Sequence, residues 1–203
     1  STQVLRTMLS PGETVIDIGA NIGYYALLES QLVGSEGEVI AIEPSPSNVS
    51  LLTLNMKVNK IQNLRIINVA IGDYDGEGKL YLSNACNWNS LICQRELNQT
   101  SSVTVKVRSI DSLLKEINIR PSLIRMDIEG YETNAIAGMI NTLNNYAPRL
   151  MIELHPQLIG GKAIRELIEL LKSVNYKTCC AISKERDFPW NAPITAIESP
   201  TIE

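Results

Sequence analysis

Histidine and paired cysteines are scarce in this sequence. His155 is the single histidine among 203 residues, and the cysteines show neither C-x-x-C pairs nor histidines at zinc spacing. The four cysteines are Cys86, Cys93, Cys179 and Cys180. This pattern is typical of a reduced protein, and we predict a cytoplasmic location.

Long apolar runs and an excess of positive charge are also missing. No apolar stretch is long enough to span a bilayer, and the first residues show no signal-peptide pattern, so we expect no membrane partner. The net charge of -4 weighs against a nucleic-acid partner and favours a small, uncharged or mildly polar substrate. Ser1 rather than Met begins the chain, which suggests processing or trimming of a longer protein and leaves open whether N-terminal residues are missing.

The size of the chain suits one folding unit. Its 203 residues, 44% of them hydrophobic, are enough for one core and few for two. The sequence contains no internal repeat and no low-complexity tract. We therefore predict a single domain over residues 1–203. The sequence makes no prediction about the oligomeric state.

Residues 15–27, VIDIGANIGYYAL, join an apolar run to a cluster of small residues. The run VIDI is short and mostly β-branched, which suits a strand buried on both faces of a parallel sheet. Gly19 and Gly23 supply backbone positions without a Cβ, and a helix is predicted from Tyr24 onward. Strand, glycine turn and helix together are typical of nucleotide-binding proteins. The spacing Gly19-x-Asn21-x-Gly23 departs from the fingerprint G-x-G-x-x-G, which argues against an NAD site.

Strands and helices are predicted to alternate along the rest of the chain. Buried strands are expected at residues 37–44, 65–73, 122–130 and 149–156. Helices are expected after a cap at Ser45 or Ser47, through Ile136, Met139 and Ile140, and over residues 161–175, before a strand-like KTCCAIS segment. This rhythm predicts an α/β fold around a mainly parallel sheet.

Two segments break the parallel pattern. Residues 79–83 and 103–108 alternate apolar and polar side chains, which predicts an antiparallel pair or sheet edge with one solvated face. They bracket residues 84–102, a stretch rich in Asn, Ser and Gln that carries Trp88. Its length and composition make this stretch the candidate for a mobile lid.

Acidic residues follow the second and third predicted strands. Ligands of open parallel sheets bind beyond the carboxyl ends of the strands, where the strand order reverses. Glu43 lies there and can accept hydrogen bonds from ribose hydroxyls, while Asp73, after Gly72, can accept one from an adenine amine. Together with the glycine turn, Glu43 and Asp73 predict a binding site for adenosine. The sequence has no P-loop lysine signature, so no phosphate-binding site is expected there.

Six segments, in this order and spacing, resemble the FkbM-type methyltransferases, which use S-adenosylmethionine on a Rossmann-like sheet. These segments, between about residues 11 and 156, are VIDIGANIGYYAL, VIAIEPSPSN, VAIGDYDGE, SIDSLL, IRMDIEGYE and MIELHP. The resemblance implies a class I methyltransferase fold with a mainly parallel seven-stranded sheet, an antiparallel last strand, helices on both faces and a small antiparallel excursion. It also implies methylation of hydroxyl oxygens on small molecules, including polyketides and sugars.

The resemblance also implies where the cofactor binds. It puts Asp17, Gly19, Asn21 and Gly23 around the methionine part, Glu43 on the ribose and Asp73 near adenine. The predicted cofactor-binding set is completed by their neighbours Ala20, Pro44 and Gly72. Beyond His155 it offers no residues for the acceptor.

Four candidate catalytic residues follow the fourth and fifth predicted strands. Asp127 and Glu129 share a face if their strand continues, and so do Glu153 and His155, so all four are expected beside the cofactor. Three interpretations stay open: a general base at His155 or Asp127, an oxygen-rich divalent metal site, or structural carboxylates bonded to loop amides. A divalent metal is possible but is not predicted.

Two other functions compete with methyl transfer. A nicotinamide oxidoreductase would need the third glycine of its fingerprint, but Tyr24 and Tyr25 follow Gly23. A non-catalytic cofactor-binding module stays open, because the sequence does not show that the four candidate catalytic residues meet an acceptor. No Asn-Pro-Pro-Tyr-like segment follows the fourth strand, which favours an oxygen acceptor over an amine.

Overall fold

A computed structural model describes residues 2–82, 89–91 and 101–177 of the chain. Strands and helices alternate through these residues as predicted. The strands are β1 Thr14–Ile18, β2 Glu38–Ile42, β3 Leu64–Ile67, β4 Ala70–Ile71, β5 Gly76–Leu82, β6 Ser101–Arg108, β7 Leu123–Met126 and β8 Arg149–Ile152. The helices are α1 Thr2–Met8, α2 Tyr24–Val33, α3 Pro46–Val58, α4 Ile110–Ile117, α5 Glu132–Ala137, α6 Ile140–Tyr146 and α7 Pro156–Ser173.

In the described part of the chain, five parallel strands form the central sheet, in the order β3-β2-β1-β7-β8. Successive side chains of a strand point to opposite faces, so each strand contributes to two cores. On one face Ile16 packs with the helices from α4 to α7, and on the other Val15 packs with α1, α2 and α3. The parallel α/β class is therefore confirmed. The chain passes from β1 to β2 on one side and returns to β7 on the other, so ligands are expected where β1 and β7 end.

Three of the described strands form a second sheet, which is not hydrogen-bonded to the first, in the order β4-β6-β5. Strands β5 and β6 pair antiparallel from Gly76 opposite Val107 to Leu82 opposite Ser101. This pairing confirms the antiparallel excursion. The predicted single sheet of seven strands is wrong for the described residues, which form one sheet of five strands and one of three.

The strand predicted over residues 65–73 is divided in the structure. Strand β3 belongs to the parallel sheet and β4 to the small sheet, with Asn68 and Val69 between them. The Asn68 side-chain amide donates to the backbone oxygens of Glu43 and Pro44, at 2.8 and 3.0 Å. These bonds hold the chain at the end of β2, where it turns away from the sheet.

The two strands that carry the candidate catalytic residues are shorter than predicted. Strand β7 ends at Met126, because Glu129 and Gly130 have φ angles of 54° and 100°, which a strand does not allow. Strand β8 ends at Ile152, and the last predicted helix begins earlier than expected, at Pro156. Asp127 therefore follows directly after β7, with its N–H still bonded to the Ile18 oxygen of β1, whereas Glu129 lies in a turn, and the two do not share a strand face.

The helix predicted through Ile136 and Ile140 is two helices, α5 and α6, separated at Gly138 and Met139. A Cβ on Gly138 would lie 2.0 Å from the backbone oxygen of Gly72, so only glycine allows this close approach. Within residues 2–82, 89–91 and 101–177, no helix has the length and apolar character needed to cross a bilayer. The predicted KTCCAIS strand, the cysteines, Trp88 and most of the 84–102 lid lie outside the described residues.

Candidate active site

The glycine turn after β1 brings the ends of three strands together. The backbone N–H groups of Gly19 and Ala20 donate to the Ile42 oxygen at the end of β2, at 2.9 and 3.1 Å. A Cβ on Gly19 would lie 2.0 Å from the Asp127 backbone oxygen, and Gly19 has a φ of 81°. Close packing of β1 against the end of β7 therefore requires this glycine, whatever ligand the turn binds.

Glu43 lies at the end of β2, 4% exposed, and its carboxylate accepts three hydrogen bonds. The backbone N–H groups of Asn21 and Ser45 donate to Oε2 and Oε1, both at 2.9 Å, and the Asn48 side chain donates to Oε1 at 3.2 Å. Burial raises the pKa of Glu43, and these hydrogen bonds oppose the rise. A carboxylate has about four acceptor positions, so Oε2 has room for one more donor.

A cleft opens beside the glycine turn and Glu43. It encloses about 550 Å³ of space between protein atoms, a volume that includes open solvent. Six of the predicted site residues line it: Gly19, Asn21, Glu43, Pro44, Asp127 and Glu129. Apolar side chains cover the wall near the two sheets: Ile18, Ile42, Val69, Ala70, Ile71 and Leu80.

Five of the predicted cofactor-binding residues do not line this cleft: Asp17, Ala20, Gly23, Gly72 and Asp73. Asp17 is fully buried in the sheet, and Gly23 lies where Leu52 of α3 packs against the start of α2. Asp73 is exposed after β4. Burial and the charge of Asp73 both raise the pKa of the cleft-lining Tyr131 hydroxyl. The structure therefore brings together the turn and Glu43 but leaves Asp73 at the margin.

Residues 89–91, in the middle of the predicted lid, also line the cleft. Ser90 exchanges backbone hydrogen bonds with Tyr81 of β5, and its hydroxyl donates to the Glu129 backbone oxygen at 2.9 Å. This part of the loop therefore contacts the turn that carries Glu129. The sequence predicted a loop here but gave no signal for this contact.

The four candidate catalytic residues lie together where β7 and β8 end. The His155 Nε2 atom is 3.3 Å from Oε2 of Glu129 and 3.7 Å from Oδ1 of Asp127. Asp127, Glu153 and His155 each offer one ligand-type atom, and these atoms lie within 4.8 Å of one another. A divalent cation could bridge such a spacing, although carboxylates also gather in this way without an ion. We call Asp127, Glu129, Glu153, His155 and their neighbour Glu132 the acidic cluster.

Glu132 is a member of this cluster that sequence reasoning missed. It is fully buried at the first residue of α5, and its Oε1 atom lies 3.0 Å from Nδ1 of His155. The same oxygen accepts a hydrogen bond from the Gly130 N–H at 3.1 Å. Its position in the DIEGYE segment was visible in the sequence, but the turn that directs it toward His155 was not.

Burial and crowding change the proton affinity of the cluster. Burial, together with the charges of Asp127, Glu132 and Glu153, raises the pKa of Glu129 to about 7, against the lowering effect of His155. Burial alone would lower the pKa of His155, but the Glu132 hydrogen bond and the charges of Glu129 and Asp127 raise it. The raised pKa of Glu129, near neutral pH, is in the range that suits a general base.

Arg125 connects the glycine turn to the acidic cluster, and sequence reasoning also missed it. Its guanidinium donates to Oδ1 of Asp17 at 2.8 Å and to Oδ2 of Asp127 at 3.2 Å. It also lies over the Tyr25 ring, 3.9 Å from the centroid. A charged residue inside an apolar strand needs a buried partner. Asp17 in the apolar run VIDI and Arg125 in the apolar run IRM were therefore a sequence signal for a buried ion pair.

Comparisons with known proteins agree with this architecture. A hexuronic acid methyltransferase, AglP, of Haloferax volcanii is 25% identical over 193 residues, which are 91% of this chain and 74% of AglP. The crystal structure of methyltransferase FkbM from Methylobacillus flagellatus matches with a TM-score of 0.57 at 18% identity. This match covers 85% of the chain and 44% of that structure, so the chain spans less than half of its length.

Fibrillarin of Aeropyrum pernix, solved with S-adenosylmethionine bound, matches with a TM-score of 0.52 at 10% identity, over 86% of this chain and 63% of fibrillarin. At these identities the structural matches show the fold alone. The sequence model of the methyltransferase FkbM domain matches residues 17–178, which include the glycine turn, Glu43 and the acidic cluster. The chain therefore belongs to the FkbM family of methyltransferases.

Proposed function

We propose that this FkbM-type methyltransferase uses S-adenosylmethionine to methylate a hydroxyl oxygen of a small molecule, with a sugar or polyketide-type acceptor. The observation that carries the proposal is the acidic cluster with His155, which borders the cleft where β1 and β7 end. The likeness to AglP, which is named for a hexuronic acid, supports a sugar.

The residues around the cleft fit the cofactor. The adenine ring would find apolar walls from β2, β4 and β5, and Glu43 retains one acceptor position for a ribose hydroxyl. Gly19 and Asn21 of the glycine turn line the cleft where the methionine part would bind. When bound, S-adenosylmethionine would supply a methyl group on a positively charged sulfur. The acceptor oxygen would bond to the methyl carbon in line with the departing sulfur.

The acidic cluster takes the proton that the acceptor hydroxyl loses. Asp127 and Glu129 line the cleft, so their carboxylates can accept a hydrogen bond from a bound hydroxyl. Glu129, with its pKa raised to about 7 by burial and neighbouring carboxylates, holds a transferred proton near neutral pH. The His155 Nε2 atom, 3.3 Å from Glu129, can then receive this proton.

The charge of the cleft favours a neutral acceptor. Among the described residues that line it, the ionisable acids and bases are Glu43, Asp127, Glu129 and Tyr131, and none carries a positive charge. An acceptor carboxylate would meet like charges there. We therefore expect neutral sugar hydroxyls to be methylated more readily than the hydroxyls of a hexuronic acid.

Methyl transfer from radiolabelled S-adenosylmethionine tests the function directly. We expect label in a product when the protein is incubated with a panel of neutral sugars, hexuronic acids and hydroxylated polyketides, or with a metabolite extract. Product formation on amines alone would contradict O-methylation. Cofactor binding without product on the whole panel would favour a non-catalytic binding module.

Glu43 is predicted to contribute to cofactor affinity. Glu43→Gln removes the charge and replaces one acceptor oxygen by a donor, at a cost of about 1.5–3 kcal/mol in a charge-assisted hydrogen bond. Affinity for S-adenosylhomocysteine should therefore fall about ten- to a hundredfold in calorimetry. Glu38→Gln, at the other end of β2, is the matched control and should bind as the wild type does.

Two results would contradict this prediction or the site itself. Equal affinities in Glu43→Gln and Glu38→Gln would remove Glu43 from the binding site. Melting curves without ligand show whether Glu43→Gln also loosens the loop amides of Asn21 and Ser45. Saturable NAD binding, with no response to S-adenosylhomocysteine, would contradict the cofactor assignment.

The pH profile should report the acidic cluster. The base must be deprotonated to accept the hydroxyl proton, so kcat/KM should rise with pH through a midpoint near 7, the pKa to which burial raises Glu129. Glu129 faces Asp127, Glu132, Glu153 and His155, so the midpoint belongs to the coupled cluster. Initial rates between about pH 5 and pH 9 measure it. Glu129→Gln should lose this limb, and an unchanged limb in that variant would contradict the assignment.

A further inference from the structure

His155 contacts a different carboxylate with each of its ring nitrogens. Nδ1 faces the fully buried Glu132, at 3.0 Å, and Nε2 faces Glu129, at 3.3 Å, and Asp127, at 3.7 Å. Glu129 and Asp127 line the cleft, and Glu132 does not. The two nitrogens therefore have different surroundings, one inside the protein and one on the cleft side.

Hydrogen-bond chemistry assigns the proton on the inner side. An ionised carboxylate only accepts hydrogen bonds, and Glu132 Oε1 already accepts one from the Gly130 N–H. With Glu132 as the acceptor, the Nδ1 atom carries the proton of the bond to the same oxygen. In neutral imidazole one nitrogen is then a donor and the other, Nε2, an acceptor.

We propose that Glu132 is a positioning residue that keeps a proton on Nδ1 of His155, so that Nε2 is the nitrogen that exchanges protons with the cleft side of the acidic cluster. The catalytic consequence rests on the proposed function, whereas the tautomer does not. Glu132 would also stabilise the imidazolium that forms when Nε2 receives a proton.

A purely structural role for Glu132 makes a different prediction. Its oxygen ties the start of α5 to Gly130, and a glutamine side chain could do the same, because its carbonyl oxygen still accepts from that N–H. Glu132→Gln removes the charge behind His155 and preserves the shape of the site. A structural role would leave His155 unchanged in this variant.

The single histidine of the chain makes the experiment direct. A long-range ¹H–¹⁵N correlation spectrum of the ¹⁵N-labelled chain contains one imidazole, so no residue assignment is needed. The pattern of couplings to Hδ2 and Hε1 then distinguishes Nε2 from Nδ1. We expect neutral His155 in the wild type to be protonated on Nδ1. A neutral form protonated mainly on Nε2 would overturn the proposal without any variant.

Glu132→Gln should lower the His155 titration midpoint by about one pH unit or more, since the charge-assisted bond to the imidazolium is lost. It should also shift the neutral form toward a mixture of tautomers. Glu129→Gln is the matched comparison: it should lower the midpoint and leave the proton on Nδ1, because it changes the partner of Nε2. If Glu132→Gln leaves both the midpoint and the tautomer unchanged, Glu132 has a structural role only.

Kinetics then link the tautomer to turnover. In Glu132→Gln we expect kcat to fall about ten- to a hundredfold with the KM for S-adenosylmethionine unchanged. An unchanged kcat would contradict the positioning role. If no acceptor is methylated by any form of the protein, the proposed function fails, and the spectra still decide the tautomer.

Discussion

Replacing His155 by Gln is expected to lower turnover by roughly a hundred- to ten-thousandfold and to leave cofactor affinity nearly intact, the usual size of a general-base contribution. Asp127→Asn should act similarly, because Asp127 lines the cleft and lies 3.7 Å from the His155 Nε2 atom. Glu43 is held by Asn21, Ser45 and Asn48, which neither substitution changes, so S-adenosylhomocysteine binding should change little. Single-turnover rates and calorimetry on the same preparations measure the two effects separately.

A matched control separates this role from a general effect of charge. Glu36 is exposed before the first residue of β2, at the opposite end of the sheet from the acidic cluster. Glu36→Gln makes the same carboxylate-to-amide change and should turn over as the wild type does. If Asp127→Asn and Glu36→Gln have the same kcat, Asp127 has no part in the chemistry.

The same assay distinguishes the three interpretations of the acidic cluster. A general base predicts that a chelator leaves activity unchanged. A metal site predicts that the chelator abolishes activity and that magnesium or manganese restores it, because hard cations prefer oxygen ligands. Structural carboxylates predict instead that His155→Gln and Asp127→Asn lower the melting temperature and weaken cofactor binding together.

The position of Glu43 shows what a sequence pattern can predict about this site. Strand β2 is a run of apolar residues that ends at a carboxylate, and parallel strands present their carboxyl ends to the same edge. That reasoning needs no contacts, and it correctly put Glu43 beside the glycine turn. The three hydrogen bonds that occupy Glu43 depend on how the loops fold, and the sequence carries no pattern for them.

The acidic cluster shows a correct proximity that was predicted for the wrong reason. The sequence suggested that Asp127 and Glu129 share a strand face, but β7 ends at Met126. The left-handed backbone of Glu129 and Gly130 turns the chain, and Glu129 then faces His155. Strand propensity does not report such a turn, because only the glycine hints at a positive φ.

Register explains why the network of Arg125 was not predicted. Asp17 and Arg125 are direct neighbours in the pairing of β1 with β7, although 108 positions separate them in the sequence. Both strands are buried on both faces, so their apolar runs offer no alternation from which the register could be read. The sequence shows Asp17 and Arg125 as charged residues in apolar runs, but only the structure shows that they form an ion pair.

Arg125→Met is expected to lower the free energy of unfolding by about 3–5 kcal/mol, because it leaves a buried carboxylate without its partner. Asp17 is fully buried, and its Oδ1 atom accepts from Arg125 at 2.8 Å. Desolvation opposes the charge of Arg125, but Asp17 and Asp127 raise its pKa further, so the guanidinium is charged at any working pH. Urea unfolding monitored by circular dichroism measures the loss.

A double-mutant cycle assigns this loss to the pair. Asp17→Asn removes the buried charge that Arg125→Met leaves behind, so the double variant should be more stable than the sum of the two single losses implies. Arg65→Met is the matched control, since Arg65 in β3 makes an exposed pair with Glu38, at 4.0 Å, of a kind worth about 0–1 kcal/mol. Equal and small losses in Arg125→Met and Arg65→Met would contradict a stabilising role for the buried pair.

Arg125→Met should also affect function through both of its carboxylate partners. Asp17 lies directly before the glycine turn, and Asp127 belongs to the acidic cluster, so losing Arg125 releases a constraint on each. We therefore expect weaker binding of S-adenosylhomocysteine and a lower kcat in the folded fraction, whereas His155→Gln lowers kcat alone. A folded Arg125→Met variant with wild-type values of both would show that Arg125 stabilises the sheet without coupling the cofactor turn to the cluster.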